Sequence, residues 1–129
     1  MIYVFKMISG QDVVGRVSSE NDFSAGYFEV MDPMEIEKSP EGMKLRDMLM
    51  LGTGEKLIFK VPQVITYYRP SDILVAYYNK AVVYSKNFTK PMIEEQIRMA
   101  SMDLEEAMQE EQSNLTTFLM GASGVKTFH

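Results

Sequence analysis

With 129 residues, 46 % of them apolar and 24 % charged, the chain has the composition of one globular domain that can bury a core. It has no cysteine, which excludes a disulfide framework and thiolate metal sites and fits a reducing compartment. The formal charge of −5 is uneven: residues 1–90 carry 11 basic and 11 acidic groups, whereas residues 91–113 carry seven acids against Arg98 alone. That balance repels a polyanion from the second half, so any nucleic-acid contact belongs to the first.

Residues 3–17 read as two strands joined by a tight turn at Ser9-Gly10, where glycine supplies the positive φ of a short hairpin. Val13, Gly15 and Val17 share one face of the second strand. Gly15, in mid-strand, marks a bend or a close backbone approach of the kind a small curved barrel needs. Lys6 and Gly10 interrupt the N-terminal apolar run before a signal sequence could form, and no run approaches the roughly 18 apolar residues of a membrane span. The expected location is the cytoplasm, with no membrane partner.

Residues 18–26 form a polar loop. A third strand follows over 27–31, is broken or bulged at Asp32-Pro33, and alternates again over 34–38. A turn at 39–42 leads to a fourth strand over 43–51, and Gly52-Thr-Gly-Glu is a flexible break. The last strand material, 57–60 and 63–68, is hinged at Val61-Pro62, because proline lacks the donor a ladder requires.

The period then changes. Leu74, Tyr77, Tyr78, Ala81 and Ser85 follow a helical stripe with Ser71 as its cap, but the β-branched Val75, Val82 and Val83 favour a strand, so 71–85 is open between the two. A clearer helix starts with Thr89 as cap and Pro91 in its first turn. Its heptad-like seam of Ile93, Ile97, Ala100, Leu104 and Ala107 should pack on the barrel or on a neighbouring protomer's helix, and glycines and small polar residues after Asn114 mark a loose tail.

Little here supports catalysis. The only histidine is the terminal His129, so no Ser-His or Cys-His pair can be buried and oriented. Glu35 and Glu37 share a strand face, the usual wet side of a sheet. Gly52-Thr-Gly54 lacks the length and the Lys-Ser/Thr of a phosphate loop. No catalytic residue, metal site or cofactor is assigned. The 12 methionines read first as core filler, with a partner-binding groove around Met92 and Met99 as the sharper alternative.

Two stretches carry a resemblance. Ile8-Ser-Gly-Gln-Asp-Val-Val-Gly-Arg-Val17 resembles the first Sm motif, with its glycine turn and mid-strand glycine. Ile58-Phe-Lys-Val-Pro-Gln-Val-Ile-Thr-Tyr-Tyr68 resembles the second. Residues 2–70 are covered, and the Pro-led, Tyr-Tyr-containing stretch after them is similar to short Sm-like proteins of tailed phages or of marine viral and bacterial sequences.

The resemblance implies a mainly β domain over 1–70, a five-stranded, strongly bent Sm-like (SH3-like) barrel. A C-terminal α extension over 71–113, of one or two helices, and a tail over 114–129 would follow. It further implies a non-catalytic homo-oligomeric ring of about five to seven protomers. Ile58, Phe59, Val64 and Ile65 would lie at the interface between protomers. Single-stranded RNA would be held by Asn21, Asp22, Phe23 and Lys60, with no DNA expected. In this chain Lys60-Val61 stands where the family has Arg-Gly, which removes the planar fork and the close approach of glycine. A second reading is therefore an interaction or assembly module that keeps the ring without binding RNA.

Overall fold

The chain is described by a computed structural model covering residues 1–52 and 54–127, with side chains as far as Leu119. β1 (Ile2–Met7) and β2 (Asp12–Arg16) form the expected antiparallel hairpin, with Phe5 opposite Val13 and Tyr3 opposite Gly15. Gly10 sits at φ +90 in its turn, closed by Gly10 N–H donating to Met7 O at 3.0 Å. β3 (Tyr27–Ser39) is one long strand, and its pairing with β2 shifts register between Val14 and Arg16. The bulge anticipated at Asp32-Pro33 lies there: Asp32 has φ +47, which an aspartate tolerates better than most residues.

Gly15 explains how β3 comes so close. A β-carbon at this position would overlap the buried side chain of Val30 and stand 3.3 Å from Met31 O. The missing side chain is the space that the bulged strand occupies.

β4 (Gly42–Asp47) pairs with the second half of β3 and β5 (Lys56–Lys60) with its first half. β4 stops four residues short of the expected end at 51. Asp47 accepts a hydrogen bond from Leu49 N–H at 2.8 Å and turns the chain. A 3₁₀ turn at Val61–Gln63 leads to β6 (Val64–Tyr68), which pairs with β1. The sheet is thus antiparallel and six-stranded, ordered β4-β3-β2-β1-β6 with β5 beside β3. The expectation of a five-stranded, strongly bent Sm-like barrel is met only in the coarser sense of a small, mainly β fold. Among the described residues β5 and β6 pair with β3 and β1 but not with each other, so the sheet is not closed.

Alternation gives the sheet two buried faces. Phe5, Val13, Val17, Phe28, Val30 and Phe59 form one cluster, with Phe28 tilted against Phe5 at 5.2 Å and edge-on to Phe59 at 5.7 Å. The neighbouring residues Val4 and Val14 point the other way and join Met34, Tyr78 and Val82. That second face requires a cover, which settles the open reading of 71–85. α1 (Asp72–Tyr84) is a helix, Ser71 Oγ accepts from Leu74 N–H at 3.3 Å, and Leu74, Tyr78 and Val82 face the sheet.

Thr89 does not cap a new helix. The helical backbone passes through a π-helical turn at Ser85–Thr89 into α2 (Lys90–Thr127), with Lys90 N–H donating to Ser85 O. Pro91 accounts for it: its ring would collide with the carbonyl four residues back, and a widened turn relieves that collision. The chain beyond Asn114, expected as a loose tail, continues in α2 to Thr127, and His129 lies outside the described residues. Residues Met1–Pro91 make one compact unit, which therefore includes α1, and a second begins at Met92. In the single chain the seam is exposed, Ile97 by 52 % and Leu104 by 61 %. No described helix is long and apolar enough to cross a membrane.

Candidate functional site

The bulge of β3 gathers the buried polar groups. The Asp32 carboxylate, 7 % exposed, pairs with Arg16 and with Lys86 Nζ at 3.2 Å. Tyr78 Oη donates to Asp32 O at 2.8 Å, and Ser85 Oγ donates to Asp47 Oδ2 at 2.6 Å. Bonding to Asp32 pushes the Arg16 guanidinium still higher than usual. Burial, aided by the negative charge of Asp32, holds the Tyr78 phenol far above its ordinary value. Among the described residues no buried side-chain nitrogen or oxygen lacks a partner. Such a cluster fastens α1 to the bulge.

The raised phenol gives a pH dependence whose sign follows from linkage. The folded state keeps Tyr78 protonated where an unfolded tyrosine ionises near pH 10. Its stabilisation is complete below about pH 10 and falls by roughly 1.4 kcal/mol per pH unit above it. Urea unfolding at pH 8, 10 and 11 should show that loss in wild type. Tyr78→Phe is expected to be less stable at pH 8 by about 1–3 kcal/mol and to lack the tyrosine-dependent fall. Parallel curves for the two proteins would contradict this assignment.

The loop segments expected to bind RNA do come together. Tyr27 is paired with Lys60, and Val61 N–H donates to Gly26 O at 2.9 Å, so residues 21–26 lie beside residues 60–61. Asn21 is committed to the loop: its Oδ1 accepts from Glu29 N–H at 3.1 Å and its Nδ2 donates to Ser18 O at 3.1 Å. Asp22 caps the 3₁₀ turn at Phe23–Ala25 by accepting from Ser24 N–H and Oγ, which holds its carboxyl below the usual range. Phe23 is exposed on one side and leans on Phe28 at 5.2 Å. Lys60 is exposed.

Phe23 also walls a cleft of about 220 Å³, shared with Tyr3, Phe5, Val17 and Tyr67 and edged by the hydroxyl-bearing Ser18 and Ser19. Tyr3 and Tyr67 meet edge-on at 5.7 Å. Phe23 was named from the sequence as an RNA-holding residue. The cleft was not visible there, since its walls come from β1, β6 and the β2–β3 connection. Among the described residues no three acids or histidines converge on a metal-binding point.

The residues expected at an interface divide by strand parity. Ile58 is 62 % exposed and Ile65 68 %, whereas Phe59 is 6 % exposed and belongs to the aromatic core. Val64 is half-buried and packs on the same cluster. Only Ile58 and Ile65 of the four present a free apolar surface. No protein-family model matches the chain, and no curated protein is significantly similar to it. The geometry therefore carries the functional argument alone.

Proposed function

We propose that the chain is a non-catalytic, Sm-like assembly module whose protomers join by pairing β5 of one with β6 of the next into a closed homo-oligomeric ring. The observation that supports it is the pair of open edges: β5 and β6 are each paired on one side among the described residues, and each exposes an isoleucine. Unpaired edge strands present rows of amide and carbonyl groups that join other chains unless blunted by charge or proline. Here the two edges differ, so their contact is head-to-tail, and closes only as a ring.

Sedimentation velocity at about 50 µM tests it. The wild type is expected to run as a discrete oligomer, and Ile58→Lys and Ile65→Lys each to run near the 14.8 kDa of one chain with an unchanged circular dichroism spectrum. A monomeric wild type would remove the proposal.

A second reading, RNA binding, is favoured by one arrangement: exposed Phe23 walls an aromatic cleft, and the loop that carries it adjoins the end of β5, where Lys60 is exposed. With Asn21 and Asp22 occupied in the loop, the cation would be Lys60 and affinity would come from repetition around the ring. Mobility shifts with U-rich and A-rich RNA across a salt series should show binding that weakens steeply with salt and is abolished by Lys60→Glu. Equally poor binding by both proteins at low salt leaves the assembly reading alone.

A further inference from the structure

α2 carries an exposed apolar stripe. Ile97, Leu104, Met108 and Leu115 follow one another at spacings of seven, four and seven, which keeps them on one narrow face, and all four are exposed. Glu94 and Glu105 flank the stripe on one side and Glu111 borders it on the other, with Asp103 and Glu110 further round the helix. The only base between residues 92 and 119, Arg98, is already held by Glu95, with its Nη2 2.6 Å from both carboxylate oxygens.

We propose that this face docks a basic amphipathic helix of a partner protein, about 20 residues long, whose apolar stripe meets that of α2 and whose flanking lysines or arginines meet the acidic rims. The charge pattern decides against a second copy. Two such faces in contact would set acid against acid in either orientation, with no free base to separate them. A basic partner satisfies both the stripe and the rims, and the rims exclude acidic competitors. The inference rests on the interaction-module reading but not on edge pairing, so the two stand or fall separately. A ring would add multivalency by presenting several such helices.

The probes are synthetic 22-residue helical peptides with leucine in the stripe: one flanked by lysine, one flanked by glutamate, and one with the lysine peptide's composition in scrambled order. Fluorescence anisotropy is read with the full chain and with the Ile58→Lys variant. The lysine-flanked peptide is expected to bind both proteins and to weaken about tenfold or more between 50 and 500 mM salt. Leu104→Asp should abolish that binding, and Glu94→Lys combined with Glu105→Lys should weaken it while admitting the glutamate-flanked peptide. Equal binding of the scrambled peptide, indifference to Leu104→Asp, or no binding at all would overturn the proposal. So would a loss of self-association caused by Leu104→Asp without peptide, which would make a second copy the occupant.

Discussion

Gly15→Ala is expected to be among the most damaging single substitutions in the chain, lowering stability by about 3 kcal/mol, the upper part of the usual range for overpacking. The added methyl would fall on Val30 Cγ1, with Met31 O at 3.3 Å and Pro33 Cα at 3.5 Å around it. Val30 has no freedom to retreat, since it is fully buried in the aromatic cluster. Either β3 moves away from β2, breaking ladder pairs, or Val30 takes a strained rotamer. Val30→Ala removes the obstructing methyl groups, so Gly15→Ala/Val30→Ala should lose clearly less than the two single losses combined. Urea unfolding of the four proteins measures this coupling. Strict additivity would show that the close approach of the two strands is not what glycine serves here.

Asp32→Ala is expected to cost a comparable amount, about 3 kcal/mol, for two separable reasons. Alanine is poorly suited to φ +47, a backbone region in which aspartate and asparagine are tolerated. It also withdraws the carboxylate that pairs with Arg16 and Lys86. Asp32→Asn keeps the backbone preference and one acceptor while removing the charge, so it should lose about half as much. Thermal unfolding separates the two terms: if the asparagine variant melts with the alanine variant, the charge dominates, and if it melts with wild type, the backbone does. A melting temperature unchanged in both would mean that the bulge is held by packing alone.

What the sequence made legible was local. Ser9-Gly10, Gly15, Asp32-Pro33 and Ser71 each act within a few residues, and each has the turn, close approach, bulge or cap that its chemistry suggested. The run Leu57-Ile-Phe was opaque for the opposite reason. All three residues are apolar, so nothing in the chain says which of Ile58 and Phe59 faces outward, although the strand separates them completely. Residues 71–85 could not be settled from propensity, because valines favour strands until a sheet face in need of cover selects the helix. Thr89 and Pro91 carry the signs of a helix start, yet the preceding helix absorbs the proline by widening one turn. The aromatic cleft could not be read at all, since Tyr3, Val17, Phe23 and Tyr67 meet only after the sheet has formed.

The pairing of β1 with β6 has a consequence for how the chain is made. Of the ladders this one spans the longest stretch of chain, since Val4 and Phe5 wait for Tyr68 and Tyr67. Closing that contact is the slow, entropically costly step of this topology. Until it closes, the nascent chain presents β1 as a bare hydrophobic edge, the kind of surface that chaperones retain and aggregates recruit.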